Sequence, residues 1–272
     1  MPELPEVETT RRGVEPHVAG RRIVALEVHE ARLRWPVAPD LPARVAGARV
    51  ERALRRAKYL LFPLDSHATL ILHLGMSGSL RVVPVGTPRR THDHVDLVLD
   101  SGLALRFNDP RRFGSLHCAE GDPSDHPLLR QLGPEPLGEG FGGERLWQAS
   151  RGRRVAIKSL IMDSHVVVGV GNIYASEALF MAGIRPRRQA RGLRRAEADR
   201  LAAAIREVLA KAVQVGGTTL RDYVGADGNP GYFRQQLFVY ERGGEPCRAC
   251  GAPVRHAVLG QRSTYWCAAC QH

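Results

Sequence analysis

Four of the five cysteines of this 272-residue chain lie in its last 26 residues, and they constrain the fold more than any other feature. They form two pairs, Cys247-x2-Cys250 and Cys267-x2-Cys270, with sixteen residues between the pairs. Each C-x2-C turn supplies two thiolates to one side of a tetrahedron, which is the spacing of a four-thiolate zinc site. Because four thiolates fill the coordination shell of zinc, we expect one structural Zn²⁺ and no metal-bound substrate.

Disulfides are the alternative for these cysteines. They are disfavoured because the rest of the chain is poor in cysteine and carries no secretion signal. The segment between the two pairs is long enough for a short β-hairpin. The fifth cysteine, Cys118, is interpreted as a buried apolar side chain.

The charge balance favours a polyanionic partner. The chain has 39 basic and 28 acidic residues, a formal net charge of +11, and a sequence pI of about 10.1. Its arginines form five clusters, beginning near residues 52, 89, 111, 151 and 185, so both halves of the chain contribute to a predicted basic groove. A membrane surface is the rival partner, but no apolar run approaches eighteen residues and no lipidation motif is found. We therefore expect a soluble intracellular protein.

The hydrophobic pattern predicts an α+β multidomain protein. Short apolar stretches between Ile23 and Leu116, punctuated by Gly, Pro and Asp, are typical of an antiparallel β-sandwich or barrel. A helix is predicted before them, over Glu6 to Val18, if Pro16 is tolerated. After a linker at 121–143, helices are predicted over 144–149, 157–163, 172–182 and about 195–215. The glycine-rich segment 218–233 is predicted to be a long loop, either a lid or a plain surface connection. The predicted strands cover 23–28, 49–54, 59–63, 69–74, 78–83, 95–99 and 104–107.

The start of the chain offers a candidate nucleophile. Removal of Met1, which is usual before proline, would leave the secondary amine of Pro2 beside the carboxylates of Glu3 and Glu6. An α-amino group titrates about two to three pKa units below a lysine side chain, so more of it is free base near neutral pH. Such an amine can attack a sugar or carbonyl carbon and form a Schiff base. The alternative is a frayed, non-functional terminus.

Three further patterns carry possible chemistry. Gly169-Val170-Gly171-Asn172-Ile173 precedes a predicted helix and suits either a phosphate or a plain turn. Asn108 to Gly114 is a turn that could insert Arg111 and Phe113 into a base stack, and Met76 could be a second wedge, although core positions are the alternative for both apolar side chains. Lys58 enters an apolar strand, where it is either an edge charge or, if it lies near Pro2, a residue that shuttles protons or binds a phosphate.

Taken together, these motifs resemble the bacterial formamidopyrimidine-DNA glycosylase family, also called 8-oxoguanine DNA glycosylase/AP lyase. The resemblance covers essentially the whole chain. The matching segments, in the order of the family, are residues 2–8, 56–60, 73–78, 92–96, 109–114, 170–174 and the four-cysteine end.

The resemblance implies the fold and the domains. It implies an N-terminal β-sandwich domain at 1–130, a helical domain with a helix-two-turn-helix element at 131–240, and a zinc-finger β-hairpin at 241–272. A loop at about 218–240 is expected to cover the lesion, and double-stranded DNA is expected in the cleft between the domains. A monomer in the bacterial cytoplasm, on the nucleoid when bound to DNA, is the expected state.

The resemblance also implies the residue roles. Pro2 would attack C1′ of the damaged nucleotide, Glu3 would protonate the sugar, and Glu6 would support the terminus. Lys58 would assist β-elimination, and Arg262 would assist δ-elimination and bind phosphate. The remaining carried-over positions would contact DNA: Met76, Arg111 and Phe113 by filling the gap left by the flipped base, and His92, Arg153, Lys158 and Asn172 by contacting the strand.

Two positions depart from the pattern of the family. Arg221 stands where some members have lysine, and Thr91 precedes His92 where a basic residue is common; we expect tuned contacts and retained activity. The implied substrates are oxidised purines, 8-oxoguanine and formamidopyrimidines. An endonuclease VIII-like enzyme for oxidised pyrimidines and a non-catalytic DNA-binding protein remain as alternatives.

Overall fold

The computed structural model of the chain describes residues 2–217 and 237–272. These residues form two compact units, one of residues 2–130 with 215–217 and the other of residues 131–214 with 237–272. The division into three domains at 130 and 240 stays a prediction. Arg221 and most of the predicted lesion-covering loop fall in 218–236, outside the described residues.

The first unit is built from two four-stranded antiparallel sheets. One sheet has the strand order β1-β6-β7-β5 and the other has the order β2-β3-β4-β8. The unit also contains helix α1 (Leu4–Val18) and the short helix α2 (Leu41–Val45). The strands are β1 (Ile23–Val28), β2 (Leu54–Arg56), β3 (Tyr59–Pro63), β4 (Ala68–His73), β5 (Ser79–Pro84), β6 (Asp93–Leu99), β7 (Leu103–Asn108) and β8 (Ser115–Glu120).

The core of this unit lies between the two sheets, as the period-2 pattern requires. In the second sheet Leu60, Leu72 and Leu116 are aligned across β3, β4 and β8, and all three are buried in one hydrophobic cluster. In the first sheet Leu97 and Leu105 are paired across β6 and β7 and belong to the same cluster. Helix α1 contributes a buried stripe to it, Val7, Val14 and Val18.

The structure corrects several details of the predicted elements. The strand predicted over 49–54 is wrong: the strand runs from Leu54 to Arg56, and Arg49 and Val50 form only isolated bridges. The sequence pattern predicts neither helix α2 nor strand β8. Helix α1 includes Pro16, which is tolerated because it lies in the last turn, where one missing N–H breaks little of the helix.

The second unit is helical and carries a β-hairpin. Its helices are α3 (Gly143–Ser150), α4 (Ile157–Ile161), α5 (Asn172–Met181) and α6 (Arg195–Gln214), and its hairpin strands are β9 (Val254–Leu259) and β10 (Arg262–Cys267). Two turns connect α4 to α5, closed by backbone hydrogen bonds from Asp163 to Leu160 and from Val166 to Asp163. This is the predicted helix-two-turn-helix element. No helix among residues 2–217 and 237–272 has the length and apolar character needed to span a membrane.

The hairpin is fastened to helix α5 and the residues that follow it. Phe180 of α5 packs in one cluster with Val239, Val254 and two cysteines of the hairpin region. The fully buried Gln271 accepts a hydrogen bond from the Cys267 N–H and donates one to the Ile184 carbonyl. These contacts give the cysteine-rich end a fixed place on the helical unit.

Candidate active site

The N-terminus is ordered and buried within the first unit. Glu3 is the N-cap of α1, and Glu6 is the third residue of that helix. The backbone N–H of Glu3 donates to Glu6 Oε2 at 2.8 Å, and the backbone N–H of Glu6 donates to the Glu3 side chain, which completes a reciprocal capping box. Glu3 is 1% exposed and Glu6 is fully buried, and Pro2 is buried beside them. The structure therefore fixes the first residues of the chain, and the frayed alternative is wrong.

Lys58 lies at the tip of the hairpin between β2 and β3, not within a strand as predicted. Arg56 pairs with Tyr59, so Ala57 and Lys58 form a two-residue turn. Ala57 has a φ of 55°, in the left-handed region that costs an alanine about 1 kcal/mol. The tight turn holds the backbone of the half-buried Lys58 in place.

His73 connects this hairpin to the next loop. Its Nδ1 accepts a hydrogen bond from the Gly75 N–H at 2.9 Å, and its ring lies 4.8 Å from the ring of Tyr59, centroid to centroid. Burial, with smaller contributions from the charges of Lys58 and Arg34, lowers the pKa of His73 to about 4. The imidazole is therefore neutral at neutral pH, which leaves Nδ1 free of a proton to accept the Gly75 bond.

Two loops of the first unit interlock through a buried carboxylate. Asp109 is fully buried, and its two oxygens accept hydrogen bonds from Ser77 Oγ and from the Gly114 N–H, each at 2.7 Å. The loops approach so closely that a Cβ on Gly75 would lie 2.4 Å from the Gly114 nitrogen. Gly75 also has a φ of 68°, so both space and conformation require glycine there.

The interlocked loops present large side chains outwards. Met76 is 38% exposed and Phe113 is 41% exposed. The guanidinium of the exposed Arg111 lies 4.8 Å above the Phe113 ring. Both apolar side chains therefore stand at the surface, which makes the core alternative for them wrong. His92, also exposed, has a φ of 71° and receives the Asp109 N–H on its carbonyl at 3.1 Å.

In the second unit, Lys158 and Asn172 converge on the hairpin. Lys158 is 2% exposed, and its Nζ donates to the Ser263 carbonyl at 3.0 Å and to Thr264 Oγ1 at 2.9 Å. Asn172 Nδ2 donates to the same Ser263 carbonyl at 3.0 Å. Among the described residues, Asn172 Oδ1 is a buried oxygen with no hydrogen-bond partner. These two predicted DNA-contact residues thus also hold the hairpin on α4 and α5.

Arg262 stands at the turn of the hairpin. Gly260 and Gln261 form the turn, with φ values of 55° and 61°, as in a type I′ turn. Arg262 is exposed and lines a groove with Lys158 and Asp163. Arg153 is exposed as well and pairs with Asp163 at 3.2 Å. The structure brings Lys158, Asn172 and Arg262 together around the hairpin, with Arg153 at the edge of the groove.

Sequence reasoning missed Glu177, a carboxylate buried in α5. It is 1% exposed and accepts the backbone N–H groups of Phe238, Val239 and Tyr240 at 2.7, 3.0 and 2.9 Å. Burial raises the pKa of Glu177, and the three N–H groups oppose that shift. The sequence does carry a sign of this site, because Glu177 is the only charged residue between Asn172 and Met181, in a helix that is otherwise apolar enough to be buried.

The four cysteines converge on one point. The sulfurs of Cys247, Cys250, Cys267 and Cys270 all lie within 4.8 Å of one another, and Cys250 Sγ is 3.5 Å from Cys267 Sγ. The backbone N–H of Ala249 points at Cys247 Sγ at 3.5 Å. A hydrogen bond with Cys250, together with burial and hydrogen bonds with the other two thiols, raises the pKa of Cys270 to about 12. The donor set fits tetrahedral zinc.

The comparisons with known proteins agree with this arrangement. Residues 1–116 match the family description "Formamidopyrimidine-DNA glycosylase N-terminal domain", and residues 132–224 match the H2TH domain of the same family. Residues 244–272 match the zinc finger found in FPG and IleRS. The formamidopyrimidine-DNA glycosylase of Thioalkalivibrio sulfidiphilus is 61% identical over all of both chains, and that of Stutzerimonas stutzeri is 58% identical over all of both chains.

Solved structures show the same fold. The MutM (FPG) protein of Thermus thermophilus superimposes with a TM-score of 0.90 at 43% identity, covering 99% of this chain and 98% of that one. The Fpg of Lactococcus lactis in complex with DNA containing an abasic site gives a TM-score of 0.93 at 32% identity, covering 99% of each chain. The same protein with Fapy-dG-containing DNA gives 0.91 at 32% identity, covering 99% of this chain and all of that one.

A two-sheet unit with a capped N-terminus, a helix-two-turn-helix unit and a four-cysteine hairpin define a DNA glycosylase of the helix-two-turn-helix class. Within that class, the chain belongs to the formamidopyrimidine-DNA glycosylase family. The predicted family, fold class and single structural zinc are confirmed.

The zinc centre yields a test by metal content. We expect about one Zn²⁺ per wild-type chain and none in Cys247→Ser, because three thiolates and a hydroxyl bind zinc far less tightly. Cys118→Ser is the matched control, since Cys118 lies in strand β8 of the other unit. Metal analysis and thermal unfolding check both variants. A Cys247→Ser protein that keeps one zinc per chain would contradict the assigned ligand set.

The half-buried His73 yields a test by pH. Its folded-state pKa of about 4 lies below the ordinary value of 6.5, so between these pH values the unfolded chain binds a proton that the folded chain does not. Stability is therefore lost as pH falls from 6.5 towards 4, by about 3 kcal/mol from this group alone. Urea unfolding of His73→Asn should show a pH dependence that is flatter by that amount. His17→Asn, at an exposed position of α1, is the control. Equal pH dependence of wild type and His73→Asn would exclude the effect.

Proposed function

We propose that this chain excises oxidised purines from double-stranded DNA and then cleaves the abasic strand, with Pro2 as the nucleophile. The chain is a DNA repair glycosylase, and AP lyase activity is typical of its family. The observation that carries the proposal is the capping box, in which the buried Glu3 and Glu6 carboxylates each accept the backbone N–H of the other residue and so fix the position next to Pro2. We place the enzyme in the bacterial cytoplasm, on the nucleoid when bound, because bacterial DNA is found there, and we propose that it acts as a monomer.

The chemistry follows from an amine held at a fixed point. The lone pair of the Pro2 nitrogen forms a bond to C1′ of the damaged nucleotide, and the glycosidic bond breaks with its electrons leaving on the base, which takes up the proton that the Pro2 nitrogen loses. Glu3 donates a proton to O4′ as the C1′–O4′ bond opens, which gives a Schiff base between Pro2 and the sugar. Loss of a proton from C2′ then expels the 3′ phosphate. A second elimination expels the 5′ phosphate.

The other site residues serve these steps. We assign Lys58, fixed at its hairpin tip, to proton transfer in β-elimination, and Arg262 to the phosphate and to δ-elimination. Glu6 keeps the backbone of Glu3 in place. Met76, Arg111 and Phe113 are exposed on interlocked loops and suit a wedge that fills the stack when a base is flipped out. His92, Arg153, Lys158 and Asn172 are assigned to the DNA strand; for Lys158 this rests on the groove that it lines together with Arg262.

The proposal requires that Met1 be removed. While Met1 is attached, the Pro2 nitrogen is an amide without a nucleophilic lone pair. Intact-mass spectrometry of the purified chain should therefore show a protein that begins at Pro2. An unprocessed chain that still formed a covalent adduct would refute the role of Pro2.

Borohydride trapping separates an enzyme from a DNA-binding protein. Wild type should form a covalent adduct with a duplex that contains 8-oxoguanine. Glu3→Gln should bind that duplex and lose base excision by a factor of about 10² or more, because the proton donor is gone. Glu8→Gln, a half-buried carboxylate of the same helix that pairs with Arg12, is the control and should excise at nearly the wild-type rate. Full excision by Glu3→Gln would count against its assignment.

A pyrimidine-specific enzyme is the second candidate function. It shares the Pro2 and Glu3 chemistry, so trapping alone does not exclude it. The wedge sequence Arg111-Arg112-Phe113 with Leu74-Gly75-Met76 favours purines, as does the Fapy-dG duplex bound by the Lactococcus lactis protein. Cleavage of duplexes carrying 8-oxoguanine or thymine glycol should favour the purine. A strong preference for thymine glycol would support the second candidate.

A further inference from the structure

Two successive glycines follow helix α6, and both have a positive φ. Gly216 has a φ of 80° and Gly217 has a φ of 81°. Both values lie at positive φ, where a residue with a side chain is strained. The two positions also differ in what surrounds them.

The surroundings of the two glycines are very different. A Cβ on Gly216 would have the Thr9 Cγ2 atom as its nearest neighbour, at 3.9 Å, which is ordinary contact. A Cβ on Gly217 would lie 2.8 Å from Glu6 Oε1 and 3.2 Å from Glu6 Cδ and Cγ. The first of these distances, from the Cβ to Glu6 Oε1, is shorter than a van der Waals contact allows. Either Glu6 or the backbone at residue 217 would have to move.

The Glu6 side chain has little freedom to move aside. It is fully buried, and its other oxygen, Oε2, accepts the Glu3 N–H at 2.8 Å. A shift of this carboxylate would lengthen or break the bond that fixes Glu3, and with it the position of the Pro2 amine one residue earlier. All of these residues belong to the first unit.

We propose that Gly217 is a positioning residue for the N-terminal nucleophile. It acts through Glu6: the missing side chain leaves room for the Glu6 carboxylate to hold the Glu3 backbone, and Glu3 in turn sets where Pro2 stands. The inference rests on the proposed role of Pro2. It adds that the absence of a side chain at residue 217, far away in the sequence, is needed for fast Schiff-base formation.

The two glycines supply a matched experiment. Gly217→Ala and Gly216→Ala each place an alanine at a φ near 80°, but only the new Cβ at residue 217 would clash with Glu6. Single-turnover borohydride trapping on a duplex with a preformed abasic site measures the rate of Schiff-base formation without the excision step. We expect Gly217→Ala to trap about tenfold or more slowly than Gly216→Ala, because displacements of about 1 Å at a reacting group have effects of this size or larger. Equal rates would overturn the inference.

A second background tests whether the effect passes through Glu6. Glu6→Ala removes the three atoms that the new Cβ would meet. In that background Gly217→Ala and Gly216→Ala should slow trapping by the same factor, as a double-mutant cycle requires when the two residues act through one contact. A difference that persists without the Glu6 side chain would refute the proposed route.

Further measurements separate positioning from general damage. Affinity for a duplex containing tetrahydrofuran, a stable abasic analogue, should be the same for the two glycine variants, so that the difference lies in the rate at saturating DNA. A loss confined to affinity would overturn the inference. Thermal unfolding of each variant sets an assay temperature at which all are folded, and intact mass confirms that each begins at Pro2. Wild type that forms no adduct would refute the proposed function itself, which is a separate outcome.

Discussion

The hydrogen bond from the Glu3 N–H to the buried Glu6 carboxylate is the interaction on which the candidate active site depends. A chain terminus ordinarily has conformational freedom, and an amine that must meet one sugar carbon cannot use that freedom. The capping box removes it by making the residue after Pro2 the N-cap of a helix whose other end is fixed in the core by Val14 and Val18. The proposed nucleophile, Pro2, is thereby attached to a rigid element and not to a loop.

A similar solution recurs where the first unit presents its exposed apolar side chains. Exposed methionine and phenylalanine on mobile loops would bury themselves or associate with other molecules. Here the Asp109 carboxylate ties the loop of Met76 to the loop of Phe113, and Gly75 and Gly114 let the two backbones touch. The cost of keeping apolar surface in water is offset by buried hydrogen bonds to a charged group, which are stronger than neutral ones. Neutral His73 extends the same support to the Lys58 hairpin.

Much of the architecture could be predicted from the sequence, because local patterns determine it. The spacing of the four cysteines, the alternating strands and the apolar stripe of α6 each depend on residues close in the chain. The strand wrongly placed at 49–54 and the missed helix α2 are short elements whose hydrogen bonds are decided by tertiary partners. Long-range contacts were beyond reach for the same reason: nothing near Gly217 in the sequence points to Glu6, and nothing near Lys158 points to Ser263.

Two buried charges explain why the zinc hairpin is a scaffold with a precise position. Lys158 from α4 donates to the backbone of β10, and Glu177 from α5 accepts three N–H groups from the segment that leads into the hairpin. A buried lysine or glutamate is expensive to desolvate, and this cost is recovered only if its hydrogen-bonding partners are in place. The zinc site alone would order the hairpin but would not orient it on the helices. Because both charges lose their partners if the hairpin shifts, they fix its orientation on α4 and α5, and so the position of Arg262 beside Lys158.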